Sequence, residues 1–245
     1  MSLEDECLST TSHEDITTHC ASELLIMSDK EFFSTIPLVR DLLQQPSNIQ
    51  FTPTCRLEGP ESTLSKTQDQ FFRRGLKDKT LVPYATAFYE DSFTTASPPT
   101  RVEQTSVGQE LRLLIRKSTL VFSLQPGTNG FNGTAHGGLI TTLIDEAMGS
   151  LILINHKIHS ELPASTRENL SGQVLDMRGL AMFTASMDVR FRTPLPTPSI
   201  VLVEAIAERI KGRKLFISVT VKGMNNVIHA TCDGMWMSIG SQEKL

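Results

Sequence analysis

At 245 residues the chain is long for one ordinary domain, and its length leaves one or two domains open. Its 39% hydrophobic and 20% charged content, with a mean hydropathy of −0.10, lies a little below a globular average, so part of the chain is expected not to pack. The formal charge of −4 removes the electrostatic reason to expect nucleic acid or an anionic membrane as the main partner.

Residues 1–31 hold eight acidic side chains and one base, Lys30, a charge of −7 that leaves +3 for the remainder. Rich in Ser and Thr and without apolar periodicity, this stretch is expected to be a disordered acidic tail. It contains no arginine and no basic-then-apolar opening, which argues against a mitochondrial presequence or a secretory signal. Residues 32–110 are expected to form an N-terminal extension of short helices and loops. Phe32, Phe33, Ile36, Val39, Leu42 and Leu43 fall at helical spacings interrupted by Pro37, Gln68–Leu76 suggests another short helix, and the Ser/Thr/Pro-rich stretch Ser92–Thr105 reads as the loop that closes the extension.

Four cysteines, Cys7, Cys20, Cys55 and Cys232, lie far apart, with no CxxC pair and no histidine at ligand spacing. Neither a zinc site nor a disulfide framework is expected, and a reducing, cytoplasmic compartment fits. The longest apolar run, Ala147–Ile154, is too short to cross a bilayer, so no membrane span is expected. The terminal Glu-Lys-Leu differs from a peroxisomal Ser-Lys-Leu at Glu243.

From Leu111 the pattern becomes regular. A strand is expected around Thr119–Gln125, closed by Pro126-Gly127, followed by the glycine-bearing loop Gly130–Gly133. A helix over His136–Asn155 then places Leu139, Leu143, Ala147 and Leu151 on one face with Ile140, Ile144, Met148 and Ile152 beside it. That arc is wide enough to bury most of the helix. Residues 156–180 read as a long polar loop. In Phe183–Phe191 apolar and polar residues alternate, the mark of a half-buried strand. Three more strands follow over Ile200–Ile210, Lys214–Val221 and Val227–Ile239, joined by short turns. Hairpins imply an antiparallel sheet that wraps the long helix, giving an α+β domain over residues 111–240.

The chemistry concentrates at the helix start. His136-Gly137-Gly138 opens the helix, where free backbone N–H groups and partial positive charge stabilise an anionic oxygen. Nine residues on, Asp145 interrupts the apolar arc, and a carboxylate there is costly unless solvated, paired or used. Nine residues rotate the helix by half a turn net and advance about 13 Å. His136 and Asp145 of one chain therefore point to opposite sides, and a two-fold partner is expected to bring its own Asp145 to this helix start.

The run Asn129-Gly-Phe-Asn-Gly-Thr-Ala-His-Gly-Gly-Leu-Ile-Thr-Thr-Leu-Ile-Asp-Glu-Ala-Met-Gly149 resembles the hotdog-fold acyl-CoA thioesterases of the 4-hydroxybenzoyl-CoA thioesterase-like superfamily. Thr184-Ala-Ser-Met-Asp-Val-Arg-Phe-Arg-Thr-Pro194 looks like that family's central strand. The similarity covers about residues 118–239, and the N-terminal half resembles the extensions of fungal members. The resemblance implies a hotdog fold and hydrolysis of an acyl thioester on coenzyme A or a carrier protein, by a homodimer or tetramer with no cofactor or metal. It implies that Asp145 is general base or nucleophile, that the Gly137 N–H binds the developing oxyanion, and that Thr184 positions water or the carboxylate. His136 would shape the loop and polarise the thioester oxygen. Gly138, Asn132, Arg213 and Lys214 are the expected substrate-binding residues, the basic pair for the phosphates of coenzyme A. Several relatives carry an asparagine where this chain has Gly130; Asn129 or Asn132 is the candidate replacement.

A non-catalytic thioester-binding or interaction protein, and a hydratase or dehydratase on the same fold, are the alternatives. The former is disfavoured by the intact Asp145, the latter by the absence of its histidine and aspartate pattern. Glu146 lies about 100° round the helix from Asp145 and is expected to face solvent or an interface. His13, His19, His156, His159 and His229 are expected to be ordinary surface or strand residues.

Overall fold

The computed structural model describes residues 27–57, 69–90 and 111–239; most of the expected acidic tail lies outside them. Asp29, Lys30 and Glu31, assigned to that tail by composition, instead open helix α1 (Asp29–Ser34). The reason is local. Ser28 accepts the Glu31 N–H at 3.2 Å while the Glu31 carboxylate accepts the Ser28 N–H at 2.7 Å, a reciprocal cap of two orphan donors. Pro37, which breaks the helical pattern, is the first residue of a second helix, α2 (Pro37–Leu43), where its missing N–H costs nothing.

The extension also supplies two strands that the periodicity does not announce, β1 (Asn48–Phe51) and β2 (Ala85–Glu90). β2 pairs antiparallel with β3 (Lys117–Leu124), from Ala85 opposite Phe122 to Tyr89 opposite Ser118. The extension and the domain therefore share one sheet, and the boundary expected near residue 110 is not a structural one. Lys117 fastens the join, meeting Glu90 at 2.8 Å and Glu204 at 2.9 Å. Strand alternation splits the packing between two faces. Ala87 and Phe122 join the main core, whereas Phe88 and Val121 pack with Phe33, Val39 and Leu43 of α1 and α2.

After β3, a small hairpin of β4 (Asn129–Phe131) and β5 (Thr134–Ala135) leads into the central helix α3 (Gly137–Glu161). This helix runs six residues past its expected end, because Asn155 is buried and used. Its side chain accepts the Ile115 N–H at 2.8 Å and donates to the Ile115 carbonyl at 2.9 Å. A fourth helix, α4 (Ala164–Leu170), occupies part of the expected 156–180 loop. Then come β6 (Ala181–Phe191), β7 (Ser199–Lys211), β8 (Lys214–Gly223) and β9 (Ile228–Ile239).

The sheet is antiparallel throughout, in the order β1-β2-β3-β7-β8-β9-β6, and it curls around α3. By length and composition α3 would suffice to cross a membrane, yet its apolar arc is the core of this fold. Leu143, Ile144, Ala147, Met148 and Leu151 have no exposed surface, and each larger one contributes about 1.5–3 kcal/mol of burial. This is the expected hotdog fold, an antiparallel sheet wrapped around one long helix. The surprise is β6. It forms the edge of the sheet rather than its centre, and Phe183 and Phe191 on it are each 56% exposed.

Candidate active site

The start of α3 is built by close backbone approach. Gly130 packs against His136, and a Cβ at position 130 would lie 2.9 Å from the His136 Cα. No asparagine fits there on this backbone. Asn129, one of the two candidate replacements, is engaged by the Thr197 hydroxyl, and Asn132 is exposed in the β4–β5 turn.

His136 is the N-cap of α3, and its Nδ1 accepts the Gly138 N–H at 2.9 Å. The neutral ring in this arrangement carries its proton on Nε2. Of the two glycine amides expected to serve substrate, that of Gly138 is therefore occupied from within the chain. The Gly137 N–H has no acceptor among the described residues and sits at the positive end of a 25-residue helix. Above it lies the Phe191 ring, 3.3 Å from where a Gly137 Cβ would be.

Beside this amide opens a pocket of about 460 Å³, lined by Phe131, Ala135, Ile140, Phe191 and Leu195 together with His136 and Gly137. Phe131 is 83% exposed, a large apolar side chain on a turn with nothing described packed over it. The sequence signal for this wall is a phenylalanine inside a Gly/Asn loop, and helical or strand periodicity does not mark it as a site residue.

Eight positions along the helix from Gly137, about 12 Å, Asp145 accepts a hydrogen bond from the Thr184 hydroxyl at 2.6 Å. The fold brings these two expected partners together across 39 residues. No hydrogen bond joins His136 to Asp145 among the described residues, as their opposed helix faces require.

Glu146 does not face solvent freely. Its Oε1 accepts from the Cys55 N–H at 3.0 Å and the Thr54 hydroxyl at 3.1 Å, both in the 3₁₀ turn Thr54–Arg56 of the extension. Burial, with the nearby Asp69 charge, pushes its carboxyl up to about 7.

Arg213 and Lys214 lie in the β7–β8 hairpin, away from the His136 end of their own chain. Arg213 donates from Nε and Nη2 to the Ser238 carbonyl at 2.9 and 2.7 Å. Leu215 and Thr184 both pair with Trp236, so the hairpin belongs to the Thr184 end of the sheet. One histidine departs from expectation: His159, in the last turns of α3, is buried 3.2 Å from Asp176. His229 lies on strand β9, as expected, and is buried beside the Thr193 hydroxyl at 3.1 Å. His13 and His19 lie outside the described residues. Among the described residues no three His, Cys, Asp or Glu side chains converge as metal ligands.

A family model described as the thioesterase superfamily matches residues 132–226, the segment from the helix-start loop through β8. That segment is what the chain shares with the thioesterase superfamily. Verlamelin biosynthesis protein B of Lecanicillium sp is 23% identical over 175 residues, covering 69% of this chain and 71% of that protein. Acyl-coenzyme A thioesterase THEM4 of Bos taurus is 23% identical over 129 residues, 52% of this chain and 44% of that one. Its Mus musculus counterpart is 27% identical over 140 residues, 56% and 50%. The chain thus spans about half the length of the mammalian relatives it matches. Among solved structures, a hypothetical thioesterase protein with coenzyme A from Streptococcus pneumoniae TIGR4 is 11% identical, with a TM-score of 0.40 over 55% of this chain and 86% of that one.

Proposed function

We propose that the chain hydrolyses an acyl thioester of coenzyme A and works as a homodimer with composite sites. The observation that carries this reading is the Thr184–Asp145 hydrogen bond, a held carboxylate on the helix whose N-terminus leaves the Gly137 amide unpaired. In the reaction Asp145 takes a proton from water as the oxygen of that water adds to the carbonyl, or Asp145 adds to the carbonyl itself and, once the thiolate has left, water hydrolyses the mixed anhydride and frees the carboxylate. The oxygen of the tetrahedral intermediate is stabilised by the Gly137 N–H. Collapse then breaks the C–S bond, the thiolate takes up a proton, and free acid and thiol leave.

The two halves of this machinery sit about 12 Å apart on one helix, too far to act on one carbonyl. The exposed edge of β6 supports the remedy. Pairing it with β6 of a second copy covers an open ladder of N–H and C=O groups. It also buries Phe183 and Phe191, and makes this strand central, as the family resemblance expects. The Asp145 segment of one α3 then approaches the glycine start of the other.

Named relatives act on acyl-coenzyme A, which supports that substrate. A relative that aligns over 69% of this chain has a biosynthetic name, so a carrier-bound acyl thioester is the second substrate to test. Release of free thiol from a panel of both, by the wild type and by Asp145→Ala, is the deciding assay. If no member of the panel is turned over, or Asp145→Ala keeps the full rate, the reading fails.

A further inference from the structure

Glu146 is the residue after Asp145, and the matched domain cannot satisfy it alone. Within residues 132–226 its only hydrogen-bond partner among the described residues is Ser150, one turn away at 3.5 Å. Its two closer donors come from outside that segment: the Cys55 N–H and the Thr54 hydroxyl, which also meets Ser150 Oγ at 3.1 Å. A part-buried carboxylate left with one weak contact is costly, so α3 at this point is shaped for the extension.

The turn that supplies these donors is itself firmly held. Thr54, Cys55 and Arg56 are buried. Arg56 donates from Nη2 to the Val82 carbonyl at 2.7 Å, and its Nε lies 3.5 Å from the Asp29 carboxylate. Asp29 in turn accepts the Ala85 N–H at 3.1 Å. A continuous polar chain therefore runs from the first turn of α1, through Arg56 and the Thr54–Cys55 backbone, to the middle of α3.

We propose that the turn Thr54–Arg56 braces the catalytic helix through Glu146 and so sets the position of Asp145, making Glu146 a positioning residue and the extension a part of the active unit. Asp145 is held on one side by Thr184 from the sheet edge and, through the neighbouring residue, on the other side by the extension. The groups that face Glu146 are Thr54 and Cys55 of the turn and Ser150 of its own helix, with the Asp69 carboxylate acting through space. Burial raises the Glu146 pKa to about 7, which places its titration within the working range of pH.

The inference rests on the thioesterase reading only for the role given to Asp145, and its test has an arm independent of turnover. In the full chain, Glu146→Ala is expected to lower kcat roughly ten- to hundredfold with KM little changed, the effect of a small displacement of a reacting group. Glu146→Gln keeps an acceptor for the Cys55 N–H. It is expected to recover most of the rate and to lose the transition near pH 7 from the wild-type kcat profile. Hydrogen exchange read by mass spectrometry is expected to rise in peptides covering both 53–57 and 141–149 in Glu146→Ala and Thr54→Val. A folded Glu146→Ala with wild-type kcat, or equal losses in the Ala and Gln variants, overturns the brace. So does loosening of 53–57 with 141–149 still protected. If the wild type hydrolyses no thioester, the function proposed above fails, and the exchange measurement still decides on the brace.

Discussion

The Thr184 hydroxyl donates to the Asp145 carboxylate at 2.6 Å, tying the edge strand β6 to the middle of the central helix. Asp145 is thereby oriented while still reached by solvent, the state a base or nucleophile needs. Removing the carboxylate by Asp145→Ala is expected to lower kcat about a hundred- to ten-thousandfold. Thr184→Val keeps the shape and deletes the donor. It is expected to cost about tenfold or somewhat more, the worth of one hydrogen bond to a charged group. Steady-state kinetics on the best acyl-CoA check both values.

Gly137→Pro isolates the oxyanion donor. Proline suits the first position of a helix, and His136 already has the extended backbone, ψ 134°, that a residue before proline prefers. The substitution therefore removes the Gly137 N–H while leaving the helix able to start, and activity is expected to vanish with the melting temperature largely kept. Mixing inactive Gly137→Pro with inactive Asp145→Ala, after unfolding and refolding together, is expected to restore turnover in the mixed dimers. Recovery is absent if each chain carries a complete site.

Stability should depend on pH through Glu146. Its folded pKa of about 7 is above that of an ordinary glutamate, near 4.3, so the folded state holds this proton more tightly. The associated stabilisation is complete below the unfolded value and is lost as pH rises through about 7. Thermal melting of wild type and Glu146→Gln at intervals from pH 5 to 8 isolates this contribution. The wild type is expected to lose stability relative to the variant across that window, and parallel curves would refute the assignment.

The β6 edge predicts the oligomeric state. Phe183 is 56% exposed, so Phe183→Lys places a charge on an edge that the single chain tolerates and a paired strand does not. Light scattering is expected to show the wild type as a dimer and the variant as a folded monomer without activity. A fully active monomer would contradict the composite site.

Local signals are strongest where one segment carries the whole cause. The helix at residue 137, the alternation in β6 and the hairpin strands β7 to β9 follow from apolar periodicity and turn residues, because each presents a face to a single core. The opposition of His136 and Asp145 follows from helix geometry alone. Periodicity is silent about β1 and β2. Their place is decided by pairing with β3, a contact between segments far apart in the chain that also joins the extension to the domain. Glu146 is the clearest case of the same limit. On the helix it is simply the polar residue after Asp145, and its two closer donors lie more than 90 residues away.

By itself the sequence determined the fold class, the long buried helix and the His136-Gly137-Gly138 start of that helix, since these depend on pattern and spacing within single elements. Only the tertiary structure decided that Thr184 holds Asp145, that Gly130 admits no side chain, that of the two glycine amides Gly137's finds no acceptor among the described residues, and that the extension grips Glu146. Each of those is a distance between residues from different segments, and packing alone sets such distances.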